Sequence, residues 1–183
     1  MKIADRIENN KDLNVHYASN AKYSARIIGD DGKPVGEGQN VEVYIDSKLH
    51  SIKTDKEGFI TIAIDKNFKA GTHSIEISYN RANVKNKVVV RHLVALKSVS
   101  VKRSAKKLVL TASLAKVNGK YLKGKWISFK FNTKTYKAKT NSKGVAKGTV
   151  KSSVLKKLKS GKKVSYQATY LKDTVKKTAK IKK

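Results

Sequence analysis

The chain's options for chemistry rest on four histidines, thirteen acidic residues and one tryptophan in 183 residues. His16, His50, His73 and His92 stand far apart, without the short spacings that put two metal ligands on one element. Serines are plentiful, so a Ser-His-Asp set exists on paper, yet no G-x-S-x-G nucleophile elbow occurs. The reading is polar strand positions for the histidines, no catalytic residues, no cofactor and no enzyme. The absence of cysteine excludes disulfides and thiolate metal sites. Asp30, Asp31, Asp55 and Glu57 fall in turn-forming stretches, and calcium prefers oxygen ligands so placed. They are the calcium candidates.

The lysines carry more information. The net charge is +29, and it is uneven. Residues 1–95 hold 15 Lys+Arg and 12 Asp+Glu, giving +3; residues 96–183 hold 27 and one, giving +26; the sums are the chain's 42 and 13. The lone acid of the second half is Asp173, and 26 of its 27 cations are lysines, Arg103 being the other. Within it Tyr121, Lys123, Lys125, Trp126 and Lys130 lie close along the chain. An exposed aromatic among ammonium groups suits sugar stacking with binding of a carboxylate or phosphate. That set is the candidate polyanion or glycan contact. The competing reading buries Trp126 under a neighbouring loop or against the first domain. Such charge also holds nucleic-acid phosphates. Base readout and bidentate phosphate clamps favour arginine, however, and no helix-turn-helix, zinc finger or RNP motif occurs, so specific nucleic-acid binding is not expected.

Strands must position these residues. Apolar residues alternate with polar ones in "LNVHY", "VEVYI", "SIEISY" and "VKNKVVV", and again in "SVSV", "LVLTASL", "WISFKF" and "VSYQATY". Period two means half-buried strands. With Ile127, Phe129 and Phe131 facing inward, Trp126, Ser128 and Lys130 face out. Only Ser152–Gly161 reads as a helix, with Val154, Leu155 and Leu158 on one side, Ser152 or Ser153 as cap and Gly161 as stop.

The pattern occurs twice. "IKTDKEGFITIAI" (52–64) returns as "AKTNSKGVAKGTV" (138–150). Thr54 meets Thr140, Asp55 meets Asn141 and Gly58 meets Gly144, while the first copy's Glu57 meets Lys143. Since the carboxylates are lost and the turn formers kept, the stretch is scaffold rather than a shared metal site. Asp30-Asp31-Gly32 and Asn118-Gly119 mark another hairpin turn in each copy. The offset drifts from 87 through 86 to 91, the insertion falling near the helical stretch. A period near 86 suits a sandwich of about seven strands better than a solenoid repeat. The expectation is an all-β chain of two tandem immunoglobulin-like β-sandwiches, 1–95 near neutral and 96–183 strongly basic.

The run "DDGKPV", "VEVYID", "LHSIKT", "DKEG", "FITIAI", "KAGTHSIEISY" resembles the bacterial immunoglobulin-like domains of invasin- and intimin-type surface proteins. "YLKGKWISFKFNTKTYKAKTNSKGVAK" and "YQATYLKDTVKKTAKIKK" look more narrowly like C-terminal repeats of adhesin-like proteins of methanogenic archaea. The resemblance implies a cell-surface stalk, wall-associating end or adhesive tip, and supplies no catalytic residues. The implied partner is an anionic cell-wall or surface polysaccharide, or a ligand on a host or partner cell; the alternative is a general polyanion- or nucleic-acid-binding module. No apolar run is long enough to span a bilayer, and the N-terminus lacks an apolar signal core, so an extracellular role expects a fragment of a longer secreted protein.

Overall fold

The computed structural model describes residues 6–183. The first half contains β1 (Ile7–Glu8), β2 (Leu13–His16), β3 (Ala21–Ile27), β4 (Asn40–Ile45), β5 (Lys48–Lys53), β6 (Phe59–Ile64), β7 (Gly71–Tyr79) and β8 (Ala82–Arg91). The second contains β9 (Val94–Leu96), β10 (Val101–Lys102), β11 (Lys107–Leu114), β12 (Trp126–Phe131), β13 (Lys134–Lys139), β14 (Val145–Lys151), α1 (Ser152–Leu155), β15 (Lys163–Tyr170) and β16 (Asp173–Lys182).

Each half forms a three-stranded and a five-stranded sheet. The orders are β1-β3-β6 and β2-β8-β7-β4-β5 in the first, and β9-β11-β14 and β10-β16-β15-β12-β13 in the second. Adding eight to each strand number converts one pair of sheets into the other. Pairings are antiparallel except β2 with β8 and β10 with β16. This is the immunoglobulin-type sandwich, all-β and written twice. Among the described residues each copy has eight strands rather than about seven, because the first strand divides between the two sheets: β1 joins β3, and β2 joins β8.

The cores follow the alternation. Ala25, Ile27 and Ile60 from one sheet and Val41, Val43, Ile75, Ile77 and Val88 from the other are fully buried in the first sandwich. In the second, Leu110, Ala112 and Val150 share a core with Ile127, Phe129, Phe131 and Ala168. Phe129 is larger than its counterpart Val43, and the facing sheet yields: a Cβ on Gly148 would stand 2.8 Å from the Phe129 ring. Volume gained on one sheet is lost on the other, as close packing requires.

Two expectations are corrected. The helix is one turn, Ser152–Leu155, with Lys151 at its cap position and no side-chain capping bond. Leu155 and Leu158 are buried as expected, but turns rather than helix lead to Gly161 at φ +79°. A turn this short is held by its buried leucines, not by helix propensity. The chain also divides into compact units between Arg91 and His92, upstream of the expected 95/96 division. Val94–Leu96 is the strand that pairs with β11, so it belongs to the second sandwich.

Candidate functional site

The repeated turn shows what its residues do. Thr54 and Thr140 are nearly fully buried. The Thr54 hydroxyl accepts from Gln39 N (3.0 Å) and donates to Gly36 O (2.7 Å); that of Thr140 accepts from Lys125 N (2.9 Å) and donates to Leu122 O (2.5 Å). Asp55 Oδ1 accepts from the Glu57 and Phe59 amides at 3.1 and 2.8 Å, and Asn141 Oδ1 from Lys143 and Val145 at 2.9 and 3.0 Å. One side-chain oxygen is used, so aspartate and asparagine are interchangeable here. Gly58 (φ +79°) and Gly144 (φ +70°) close the turns. A Cβ on Gly58 would also meet Val35 O at 2.9 Å, so the position is doubly closed to other residues.

Three of the four calcium candidates, Asp30, Asp31 and Asp55, use a carboxylate oxygen within the chain. Asp31 Oδ1 accepts from Lys33 N at 3.0 Å, and Asp30 pairs with Arg6. Asp55 caps its turn, and Glu57 contributes its backbone carbonyl to Arg26 Nε at 3.0 Å. Among the described residues no group of three or more histidines or carboxylates is arranged to hold a metal ion.

Two histidines meet carboxylates. His73 Nδ1 lies 2.6 Å from Asp46 Oδ2, and its Nε2 lies 2.8 Å from Lys69 O. Both partners are acceptors, so the arrangement favours the protonated ring, from which both nitrogens donate. Burial opposes that charge, but the Asp46 bond and the Lys69 carbonyl outweigh it and raise the His73 pKa. Burial likewise acts against the Asp46 carboxylate, yet the bonds from His73 and Ser74 N hold its pKa below the usual value. An imidazole with both nitrogens engaged has no lone pair for a nucleophile's proton. His92 Nδ1 contacts Asp173 Oδ1 at 2.5 Å, and Asp173 Oδ2 accepts from the amides of Leu93 (2.7 Å) and Val94 (2.9 Å). The Asp173 side chain is fully buried, so the second sandwich's only acid tethers its opening strand and leaves no side-chain carboxylate on its surface.

The outer face of the five-stranded sheet in the second sandwich carries the candidate contact. Ile127, Phe129 and Phe131 are wholly buried, and Trp126 is 57% exposed, which removes the reading in which it packs under a loop. Trp126 and Lys130 stand on this face, two steps apart on β12. Lys139, opposite Trp126 in register, places its ammonium 5.0 Å from the indole centroid. Tyr121, half exposed, sits in the loop before β12 beneath Lys116, whose ammonium is 4.6 Å from the ring. Lys123 and Lys125 are exposed on that loop, with the Lys125 amide fixed by Thr140. The sequence set therefore splits between a strand face and a loop. Ser128, Lys137, Thr169 and Leu171 line an open notch of about 380 Å³ with Trp126. Ser128 was read from the sequence as outward-facing, but Lys137, Thr169 and Leu171 were not singled out, because β13 and β15 reach β12 only through sheet register.

No protein-family model matches the chain, and no curated protein matches it significantly. Solved structures do match. One, described as a "Ca2+-stabilized adhesin" that helps an Antarctic bacterium bind ice, is 14% identical at a TM-score of 0.32, covering 91% of this chain and 46% of that one. The I9-I11 tandem of titin is 8% identical at a TM-score of 0.49, covering 96% and 64%. Invasin, a bacterial integrin-binding protein, is 13% identical at 0.36, covering 96% and 38%. The chain spans about half the length of these structures. The fold assignment rests on the strand order and pairing above.

Proposed function

We propose that the chain is a non-catalytic, extracellular adhesin-like segment, of the kind its lysine-rich phrasing resembles in methanogenic archaea. The near-neutral first sandwich acts as a spacer. The basic second sandwich associates with an anionic cell-wall or surface polysaccharide through Lys123, Lys125, Lys130 and their neighbours, with Tyr121 and Trp126 as aromatic contacts.

The observation that carries this reading is charge replacement on an unchanged frame. In the first copy Glu76 sits opposite Lys85, with an ion pair at 3.4 Å. At the matching positions Gln167 sits opposite Lys176, so the lysine stays and its counter-charge goes. The remaining acid, Asp173, is turned inward. Solubility of a small domain asks for a net charge of only about 2–8. A surface at +26 with no exposed side-chain acid repels itself until a polyanion neutralises it.

The test is binding of the full chain to isolated wall polymer and to a soluble polyuronate as salt is raised. Affinity should fall steeply with salt. Absent or salt-independent binding overturns the reading. Sequence-dependent binding to duplex DNA that survives physiological salt would replace it with a nucleic-acid function.

A further inference from the structure

The notch beside Trp126 has a twin. In the first sandwich an open notch of about 370 Å³ is lined by Asn40, Glu42, Ser78 and Asn80, among others. The second notch is lined by Trp126, Ser128, Thr169 and Leu171. Asn40 and Trp126 are 86 apart, as are Glu42 and Ser128; Ser78 and Thr169 are 91 apart, as are Asn80 and Leu171. Register agrees, since Glu42 faces Ser78 and Ser128 faces Thr169. The frame therefore builds the same concavity in each copy and lines it differently.

The direction of the difference is informative. Several exposed positions carry lysine in the second copy, such as Lys125 for Gln39 and Lys137 for Ser51, but where two asparagines flank the first notch the second copy has tryptophan and leucine, 57% and 58% exposed. Leu171 is costly twice. It exposes a large apolar side chain, and at φ +54° it adopts the left-handed region that Asn80 (φ +43°) tolerates far better. Neither solubility nor turn formation accounts for it. Between the two apolar walls stand the hydroxyls of Ser128 and Thr169, and Lys137 faces Ser128 across the β12–β13 ladder. Lys137 lines the notch and Lys139 stands beside it over the indole, so apolar surface, neutral hydrogen-bonding groups and two ammonium ions lie close together.

We infer that this notch is a subsite for one acidic pyranose residue of a polysaccharide chain. The ring's C–H face lies on Trp126 and Leu171, its hydroxyls bond Ser128 and Thr169, and its carboxylate meets Lys137 and Lys139. Apolar walls add nothing to a bare phosphate chain, and two lysines add nothing to a neutral sugar. The inference rests on the reading that the second sandwich binds anionic polymer, and it places the ring-specific contact within that surface.

Trp126 is the chain's only tryptophan, so its emission reports the subsite directly. The 183-residue chain is titrated with an oligogalacturonate, a neutral cello-oligosaccharide and inorganic polyphosphate, reading emission and calorimetric affinity together. The expected result is a saturable emission shift with oligogalacturonate. Trp126→Ala and Leu171→Asn should each weaken that ligand about tenfold or more, equivalent to about 1.4 kcal/mol, and leave polyphosphate unchanged. Leu171→Asn should melt no lower than the parent, which separates lost binding from lost fold. If oligogalacturonate binds parent and both variants equally, binding is by charge alone; the subsite is refuted and the wider reading stands. If neither acidic polymer binds the parent, both fall. Equal binding of the cello-oligosaccharide refutes the role given to Lys137 and Lys139.

Discussion

Asp173→Ala should destabilise the second sandwich more than any other single charge substitution in the chain. The carboxylate is enclosed and accepts three hydrogen bonds: Leu93 N at 2.7 Å, Val94 N at 2.9 Å and His92 Nδ1 at 2.5 Å. Truncation leaves two buried amides without an acceptor, at about 1–3 kcal/mol each. It also frees the segment that feeds β9 onto β11. The expected loss is about 3–5 kcal/mol, against a domain stability of about 5–15 kcal/mol. Urea unfolding followed by Trp126 emission reads this sandwich alone, since the first contains no tryptophan. A competing cause is the field: removing the only acid raises the charge of residues 96–183 from +26 to +27. That part fades in ~1 M salt, where the screening length is about 3 Å, whereas lost local bonds do not recover. Asp173→Asn separates the two causes further, because it removes the charge and keeps an acceptor oxygen for the amides. It should cost clearly less than alanine at every salt concentration. Equal losses for alanine and asparagine that both vanish in ~1 M salt would refute the hydrogen-bond argument, as would a loss under about 1 kcal/mol for alanine.

Three further outcomes are expected. In the repeated turn, Asp55→Asn and Asn141→Asp should change stability by under about 0.5 kcal/mol, since one oxygen does the work in each; Thr54→Val and Thr140→Val should each cost about 1–3 kcal/mol in denaturant titrations, since both bonds of a buried hydroxyl are lost. The His73–Asp46 pair should give the first sandwich a pH-dependent increment. The raised His73 pKa makes its share full below about pH 6.5 and lost as pH rises through the folded value, and the lowered Asp46 pKa makes its share present above about pH 4 and lost as pH falls. The melting difference between parent and His73→Gln should therefore peak between those limits, and it should stay under about 1 kcal/mol because Asp46 is half exposed; a difference that grows above pH 8 contradicts the assignment. Added salt should raise the melting temperature of the second sandwich, where Lys163 faces Lys180 and Lys107 faces Lys151, and leave the first nearly unchanged; differential scanning calorimetry with Trp126 emission distinguishes the two transitions.

What the sequence revealed, and what it hid, follows from the range of each interaction. Period-two alternation is local, so the inward set Ile127, Phe129 and Phe131 and the outward Trp126 were legible from one strand. The turn at 54–58 was legible because its bonds close within a few residues of Asp55. The two-residue strands β1 and β10 carry too few side chains to show a period. The helical stretch misled because Leu155 and Leu158 are spaced for a helix but are buried through a single helical turn followed by loops. Asp173 was visible as a lone acid, but its partners lie 79–81 residues away. Lys137, Lys139, Thr169 and Leu171 reach Trp126 through register, which one strand's sequence does not contain.

The duplication supplies an internal control for judging which surface residues matter. Two sandwiches of one topology face the same packing demands, so positions set by geometry should match and positions set only by solvent should drift toward polar residues. Thr54 and Thr140, with Gly58 and Gly144, match in residue and in bonds. Exposed drift toward lysine explains Gln39 giving way to Lys125 and Ser51 to Lys137. Neither rule explains Asn40 becoming Trp126 or Asn80 becoming Leu171, since both changes add exposed apolar area on a surface otherwise made more cationic. Trp126 on β12 and Leu171 in the turn after β15 meet in one notch, and an apolar surface brought to that notch from outside the chain would account for both. A ligand carrying both an apolar face and negative charge meets that requirement and the lysines around it together.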